Sequence, residues 1–529
     1  MGIGIGVWTK IFFLMTTAST DSLKRRTLAK LCANGFGMAV NLFSQSIILR
    51  SLGPAVYGNF GYLTNFFTQA FGFFEMGTSL GFYSKLSQRP KETAMIRFYW
   101  GYSLGVGGLV LSLTVAAIWA GWGPCLWPEQ ASRHILAAFG LCFFISLLQI
   151  LNYMMDGFGL TVDGEKSRNL QRIFGLVVLV LLGWVGFSLD HFILYNILLA
   201  AFLAVLWICD LRRHGHVVVP KERLTSAEQR QYVVEFYRYG SPLAIYSLIG
   251  WFINVWDRWL LQKYAGAVQQ GFYGFAFQLA GVAFLFSGSV IPLLTRELSM
   301  AHGAQDIRRM GALFERSVNI LCAVSALIGV FLAVEAPAVT RLFGGRGFVE
   351  ASWALRLMMF YPMFQTLGQL SGSVFYATGD TPAYRNLGIL SFLFGLPFGY
   401  FLLAPHSHGG LEGGALGLAV KMVGVQIVSV NLLLWHTARR MGVSFGRLLW
   451  MQGRSIAVFG LLAVAAGLIA SRTGQAGLVL SAMFYSVLIA GVAWKIPQWI
   501  GLSPEDIAWV RQGMVRWWNL RNPEGTNVG

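Results

Sequence analysis

The sequence predicts an all-α integral membrane protein, with about fourteen transmembrane helices in two six-helix lobes and two extra C-terminal helices. Three observations predict this fold class: the composition, the spacing of apolar segments and basic residues, and an internal repeat. The 529 residues are 55% hydrophobic and 12% charged, with a mean hydropathy of +0.58. Soluble domains carry about 25% charged residues. The composition therefore argues against a soluble protein.

A helix that spans a bilayer needs about 20 mostly apolar residues. Segments of this kind recur along the whole chain, and we expect spans at 28–49, 58–82, 95–121, 134–155, 170–188, 190–210, 239–262, 271–293, 312–334, 351–375, 384–404, 413–436, 450–470 and 476–496.

The basic residues predict the orientation of these spans. If the N-terminus is cytoplasmic, more than three quarters of the 40 Lys and Arg residues fall in inside loops or adjoining helix ends. This asymmetry is what the positive-inside rule expects. Much of the net charge of +17 therefore reflects topology, and we predict no nucleic-acid partner. Both termini are predicted to be cytoplasmic.

The predicted organisation has six parts. The segments outside the lobes carry helix-start signals, because Thr225 with Glu228 forms a capping box, and Ser503, Pro504 and Asp506 form a second helix start. The native start is predicted at Met1 or Met15. The parts are a cytoplasmic N-terminal segment (1–27), an N-lobe of spans 1–6 (28–210), a basic cytoplasmic linker (211–238), a C-lobe of spans 7–12 (239–437), spans 13–14 (438–496) and a cytoplasmic amphipathic tail (497–529).

An internal repeat relates the two lobes. The segment "RSLGPAVYGNFGY" (50–62) aligns without gaps with "KYAGAVQQGFYGF" (263–275), so that three glycines coincide. Both segments lie between the first and second spans of a lobe. A second match pairs "DGEKSRNL" (163–170) with "DTPAYRNL" (380–387) between the fourth and fifth spans. Two matches at nearly one offset indicate a duplication, and an even number of spans per half makes it a parallel repeat.

The sequence resembles the polysaccharide (Wzx-type) flippases of the multidrug/oligosaccharidyl-lipid/polysaccharide exporter superfamily. The resemblance rests on "RSLGPAVYGNFGYL", "FINVWDRWLLQKYAGAVQQGFYGFAFQL", "YATGDTPAYRNLGIL" and "HGGLEGGALGLAV". It implies transport, without enzymatic activity, of a lipid-linked oligosaccharide on an undecaprenyl diphosphate carrier from the inner to the outer leaflet. Implied partners are the lipid-linked oligosaccharide, membrane lipids, and the polysaccharide polymerase with its chain-length machinery.

Charged residues within spans are candidates for the transport site, because a charge at the centre of a membrane helix costs about 2.5–3.5 kcal/mol. We predict that the cationic candidates attract phosphate or sugar acids, while the acidic ones balance them or carry a coupling proton. The alternative is that they form interhelical salt bridges. The candidates are Glu75, Asp257, Arg258, Arg356 and Lys421.

Three basic residues at the predicted cytoplasmic mouth of span one, Lys24, Arg25 and Arg26, are candidates for meeting the carrier phosphates, although topology alone also requires basic residues there. The sequence predicts no metal site and no cofactor. It lacks a Walker A motif, so ATP is not a direct energy source within this chain. A proton gradient, a sodium gradient and uncoupled transport all remain compatible with it.

Other functions remain open at this stage. A lipid II flippase and a MATE-like multidrug or cation antiporter would share the fold. A membrane glycosyltransferase or polymerase acting on lipid-linked sugars is the alternative from another class. Such enzymes generally need a sizeable external loop, whereas the predicted external loops here are short, and the duplication favours a carrier.

Overall fold

The chain is helical throughout its described residues, with no β-strand among them. The computed structural model describes residues 21–182, 188–220, 224–282, 284–470 and 477–501. The region around Met1 and Met15 and the tail helix predicted from Ser503 lie outside these ranges. The helices are α1 (Asp21–Glu75), α2 (Thr78–Gln88), α3 (Thr93–Trp119), α4 (Gly123–Leu126), α5 (Ser132–Gly157), α6 (Thr161–Leu182), α7 (Leu189–Arg213), α8 (Ser226–Gly281), α9 (Phe284–Gly303), α10 (Ile307–Val334), α11 (Ala336–Gly344), α12 (Ser352–Met358), α13 (Tyr361–Thr378), α14 (Thr381–Leu403), α15 (Gly414–Met441), α16 (Phe445–Ala470) and α17 (Gly477–Lys495).

Many of these helices are long and apolar enough to cross a membrane. Within the described ranges, eight satisfy both criteria: α3, α5, α7, α10, α14, α15, α16 and α17. Helices α1 and α8 extend over 55 and 56 residues, and each is interrupted by one non-helical glycine. The protein is a multi-pass, all-α membrane protein, as predicted, while the number of fourteen spans stays a prediction.

The two interruptions occupy equivalent positions of the predicted repeat. Gly53 has φ 71° and ψ 171°, and Gly266, 213 positions later, has φ 78° and ψ −178°. Backbone at such positive φ is readily adopted only by glycine, which has no Cβ. In the first copy the next residue is Pro54, which lacks an N–H for the helical hydrogen bonds. Each aligned segment therefore breaks its helix at the equivalent glycine, with nearly the same φ and ψ.

The two repeat segments also pack against each other. A Cβ on Gly58 would lie 1.9 Å from the carbonyl oxygen of Ala267, and a Cβ on Gly271 would lie 2.0 Å from that of Pro54. In the repeat alignment Gly58 corresponds to Gly271, and Pro54 corresponds to Ala267. The same close contact is therefore made twice, as in a two-fold interface between like surfaces. We call this end of the bundle the glycine end.

Below the glycine end, α1 and α8 run antiparallel past each other. The Nδ2 of Asn65 donates to the Asn254 carbonyl oxygen at 3.4 Å, and the rings of Phe73 and Trp251 lie 5.7 Å apart. At the opposite end, Lys85 of α2 forms an ion pair with Glu235 of α8. We call this the basic end. Helices α1 and α2 thus contact α8 along one seam that runs from the glycine end to the basic end.

Several predicted spans are divided between helices, and two of these breaks lie wholly within the described residues. The span predicted at 58–82 breaks after Glu75, where Met76 and Gly77 have φ of 50° and 71° before α2 begins. The span predicted at 351–375 contains α12 and α13, with a break before Tyr361. Pro362 in the first turn of α13 cannot donate a backbone hydrogen bond to the preceding helix. Hydropathy alone registers neither break, because the residues on both sides are apolar.

The linker helix begins where the sequence predicts. The Thr225 hydroxyl accepts a hydrogen bond from the Glu228 N–H at 3.3 Å, and Glu228 Oε2 accepts one from the Thr225 N–H at 2.8 Å. The N–H and the hydroxyl of Thr225 both donate to the Glu228 carboxylate, and these two bonds hold the pKa of Glu228 below its ordinary value. The predicted capping box is confirmed, and it starts the first turn of α8.

The two C-terminal helices pack on α10. Tyr485 of α17 donates to the Leu327 carbonyl oxygen at 3.0 Å and stacks on Phe331 with ring centroids 4.8 Å apart. Ser481 donates to Glu335 Oε1 at 2.7 Å. Helices α16 and α17 therefore extend the apolar core of the second half and lie away from the seam between α1 and α8.

Candidate functional site

Two of the predicted charges form a buried ion pair. Lys421 Nζ of α15 lies 2.5 Å from Asp257 Oδ2 of α8, and the two residues are only 3% and 5% exposed. The second carboxylate oxygen, Asp257 Oδ1, is buried without a hydrogen-bond partner among the described residues. The pair links two helices of the second half, so Lys421 is already neutralised where it lies.

Two glycines of α14 lie against this pair. A Cβ on Gly399 would lie 3.4 Å from Asp257 Oδ1, and one on Gly395 would lie 3.5 Å from Lys421 Cε. Pro397 lies between these glycines inside the helix. Because proline removes one backbone hydrogen bond, this stretch of α14 combines a weakened helix with a buried charge pair.

Arg258 points to different neighbours from Asp257, as expected for consecutive helical residues. Its Nη1 donates to Gln270 Oε1 at 3.2 Å, and its guanidinium carbon lies 4.5 Å from the ring centroid of Tyr273. The hydroxyl of Tyr57 donates to Gln278, which is on the same stretch of α8. No carboxylate pairs with Arg258 in the described part of the chain. It is a cation held by an aromatic ring and an amide close to the glycine end.

Glu75 is the last residue of α1. Its Oε1 accepts a hydrogen bond from the hydroxyl of Tyr99 at 2.9 Å, and its carbonyl oxygen accepts one from Thr78 at 2.7 Å. No cation lies within ion-pair distance among the residues that the structure describes. Glu75, predicted as an acidic site residue, therefore lies at a helix break, where its carboxylate is hydrogen-bonded by the Tyr99 hydroxyl.

The other predicted residues lie elsewhere. Arg356 of α12 donates from Nε to the Ala333 carbonyl oxygen at 3.1 Å and stacks over Trp353 at 4.7 Å. It does not approach Asp257 or Arg258. The backbone of Lys24, Arg25 and Arg26 lies in the first turns of α1, and their side chains are outside the described part of the structure.

The sequence prediction missed a basic cavity at the basic end. This cavity, which we call the vestibule, has a volume of about 870 Å³ and lies between α2 and the first turns of α8. Four cations line it together with a single carboxylate: Lys85, Arg89, Arg230, Arg238 and Glu235. Cations from α2 and the residue that follows it therefore converge here with cations from the linker end of α8.

Within the vestibule the carboxylate is already shared by two cations. Arg89 Nη2 lies 2.7 Å from Glu235 Oε1, and Lys85 binds the same oxygen. Burial tends to raise the pKa of Glu235, but these two cations outweigh it and hold the pKa below its ordinary value. Arg230 and Arg238 are exposed and have no ion-pair partner among the described residues. The vestibule therefore keeps unpaired positive charge that faces solvent.

A helical pattern in the linker could have revealed the vestibule. Arg230, Val234 and Arg238 recur at intervals of four and share one face of α8. Tyr232 and Phe236, on the opposite face, are buried against Phe98. The positive-inside rule already accounted for these arginines, so their positions did not separately indicate a site.

No metal centre of the usual composition is visible: the described ranges hold no group of three or more His, Cys, Asp or Glu side chains placed to bind a metal ion.

Within the described residues the fold is a multi-pass helical bundle in which α1 and α8 meet along one seam. The chain belongs to the polysaccharide biosynthesis protein family, whose model matches residues 23–296, just over half of the sequence. A comparison with curated proteins gives no match.

Solved structures share the fold at low sequence identity. The lipid II flippase MurJ in an inward closed conformation aligns with a TM-score of 0.64 and 12% identity, over 89% of this chain and 99% of that one. An inward-facing multidrug resistance MATE family transporter of the MOP superfamily gives 0.59 and 16%, over 77% and 94%. An outward-facing MATE transporter gives 0.52 and 16%, over 79% and 96%. These structures share the predicted fold, and the family match bears out the predicted resemblance to polysaccharide proteins.

Proposed function

We propose that this protein is a flippase that moves a lipid-linked oligosaccharide, carried on undecaprenyl diphosphate, from the inner to the outer leaflet of a bacterial cytoplasmic membrane. Both termini would face the cytoplasm, and the polysaccharide polymerase with its chain-length machinery would use the product. Movement would follow alternating access between the N-lobe (28–210) and the C-lobe (239–437), as in other transporters built from two repeats.

The vestibule is the observation that carries this proposal. A carrier diphosphate is a dense anion, and arginine guanidinium groups recognise phosphate oxygens through paired hydrogen bonds. Four cations and one carboxylate line the cavity, so its charge suits an anionic head group and disfavours a cationic drug. Its position at the basic end, predicted to be cytoplasmic, suits the side from which the substrate would enter.

The remaining charges take different roles in this proposal. Arg258, which has no carboxylate partner among the described residues, would bind the anion between the lobes. Glu75, at the end of α1, would change its hydrogen bonds when α2 moves. The basic mouth of span one, Lys24 to Arg26, would add to the vestibule. Asp257 and Lys421 would hold the C-lobe together, with Arg356 stabilising its outer end.

Reconstitution tests this function. The purified protein is placed in proteoliposomes with the undecaprenyl-diphosphate-linked oligosaccharide, and the fraction accessible to an added glycosidase is followed with time. The proposal predicts protein-dependent exposure of sugar from the inner leaflet. Lipid II serves as a second substrate, and a fluorescent organic cation tests antiport. Transport of the cation without movement of either lipid-linked sugar would overturn the proposal.

Neutralising the unpaired vestibule cations should slow transport. We expect Arg230→Gln with Arg238→Gln to lower the initial rate at limiting substrate by roughly tenfold, since two solvent-exposed charge contacts contribute about 0.2–1 kcal/mol each. The same assay measures the rate, after equal protein has been reconstituted.

The matched control removes the same charge at the same end of the bundle. Arg212 and Arg213 end α7, are exposed and do not line the vestibule. Arg212→Gln with Arg213→Gln should keep the wild-type rate. Equal losses in both double variants would show that net charge, and not the vestibule, matters.

A further inference from the structure

One carboxylate, that of Glu235, already occupies a position in the vestibule where an anion would bind. Its Oε1 pairs with both Lys85, in the last turn of α2, and Arg89, which directly follows that helix. Its Oε2 is buried without a hydrogen-bond partner among the described residues. Two cations of the vestibule therefore share a single oxygen of an anion that belongs to the protein itself.

The two cations differ in what else holds them. Arg89 Nη1 also lies 3.1 Å from Glu92 Oε2, and Glu92 does not line the vestibule. Glu92 is fixed in turn by the hydroxyl of Tyr232, which donates to its Oε1. Lys85 has no carboxylate other than Glu235 within ion-pair distance in the described ranges. Lys85 is therefore the cation whose neutralisation depends on Glu235.

The pairing with Glu235 is open to competition. The side chains of Lys85 and Glu235 are 18% and 25% exposed, and water weakens an ion pair at such a site. A diphosphate carries two negative charges and several oxygens, so it can accept a separate charged hydrogen bond from each cation. Glu235 satisfies both with one oxygen. The carboxylate and a diphosphate would thus compete for the same two cations, with the diphosphate as the stronger ligand.

Such competition solves a problem of release. A transporter has to bind its cargo firmly enough to capture it and weakly enough to let it go. Four cations without a counter-charge would retain a dense anion. Like charges one turn apart repel each other, so an emptied vestibule favours the return of the carboxylate to Lys85 and Arg89.

We propose that Glu235 is a built-in competitor for the vestibule, which leaves Lys85 and Arg89 when the diphosphate of the substrate binds and returns to them when the substrate departs. The inference rests on the proposed function, which supplies the lipid-linked diphosphate as the ligand. Because the carboxylate and the diphosphate exclude each other at these cations, removal of the carboxylate strengthens binding and slows release. Glu235 sets the release rate without itself contacting the substrate.

Binding of inorganic pyrophosphate to the full-length protein in a neutral detergent, measured by isothermal titration calorimetry, tests the competition. We expect Glu235→Gln to bind roughly two- to thirtyfold more tightly than the wild type, since two partly exposed ion pairs no longer have to be broken. Lys85→Gln breaks one of the same pairs from its other side, yet it should bind more weakly because it removes a cation of the site. A purely structural ion pair would shift both variants in the same direction.

Transport of the lipid-linked oligosaccharide by the reconstituted protein gives the second readout. Glu235→Gln should lower both the substrate concentration at half-maximal rate and the maximal rate. The control is Glu315→Gln, because Glu315 of α10 pairs with Arg447 of α16 at 2.9 Å and does not line the vestibule. That variant should keep the wild-type values of affinity and rate.

Glu235→Asp, whose shorter side chain reaches the two cations less well, should bind pyrophosphate with intermediate affinity, and it serves as the test if Glu235→Gln fails to fold. Unchanged or weaker binding by a folded Glu235 variant would overturn the proposal, and so would an equal gain in Glu315→Gln. A different result would overturn the proposed function alone: tighter pyrophosphate binding by Glu235→Gln in a protein whose wild type moves no lipid-linked oligosaccharide.

Discussion

Gly58→Ala should open the glycine end and slow transport severely. The added Cβ would lie 1.9 Å from the Ala267 carbonyl oxygen and 2.6 Å from the Gly271 nitrogen. Both obstacles are backbone atoms, so no side-chain rotation relieves the clash. Overpacking of this kind costs about 1–3 kcal/mol. Because the cost falls on the conformation with this end closed, that state should lose roughly 5–150-fold in population relative to the open one.

Cross-linking measures this population directly. Ala55 and Val268 are exposed equivalents in the two repeat segments, and both can be replaced by cysteine in a background without the five native cysteines. A bifunctional maleimide should join them efficiently in the wild-type background and poorly with Gly58→Ala. The control is Gly61→Ala, one turn away, where an added Cβ meets nothing within 4 Å. Equal cross-linking in both backgrounds would contradict the role of the glycine contact.

Breaking the buried ion pair should destabilise the C-lobe more than any other single charge change. Lys421→Met leaves the Asp257 carboxylate buried without a partner, and loss of one member of a buried pair costs about 3–5 kcal/mol. We expect a marked fall in the Tm and in the yield of monodisperse protein. Thermal unfolding in detergent measures the first quantity, and size-exclusion chromatography measures the second.

A double variant separates stability from transport. Asp257→Leu with Lys421→Met replaces both charges by apolar groups of similar size, which is often neutral or stabilising for buried pairs. It should recover the Tm of the wild type and most of its transport rate if the pair is structural, as we propose. A stable double variant without transport would instead give the pair a direct part in the mechanism, as the sequence prediction had it.

The fold was predictable because its signals are local. Apolar segments of spanning length and the distribution of basic residues suffice for the fold class, and the alignment of Gly53 with Gly266 identifies the backbone breaks that the structure contains. The reciprocal contact of Gly58 and Gly271 was not predictable. A small residue indicates close packing, but only the folded chain reveals which backbone lies against it.

The site was less accessible from sequence, because pairing between distant residues decides what a charge does. Asp257 and Lys421 are 164 positions apart and each looks unpaired within its own helix. The vestibule combines Lys85 and Arg89 with Arg230 and Arg238. The positive-inside rule had already accounted for each of these basic residues within its own loop.

The most direct test of the proposed function is the fate of lipid-linked oligosaccharide in cells that lack this protein. The gene is deleted in the organism that encodes it, and undecaprenyl-diphosphate-linked sugars are quantified on each side of the membrane. We predict that the oligosaccharide accumulates in the inner leaflet, that wild-type protein clears it, and that Arg230→Gln with Arg238→Gln clears it poorly. Unchanged levels and sidedness of these lipids, with normal polysaccharide export after deletion, would contradict the account.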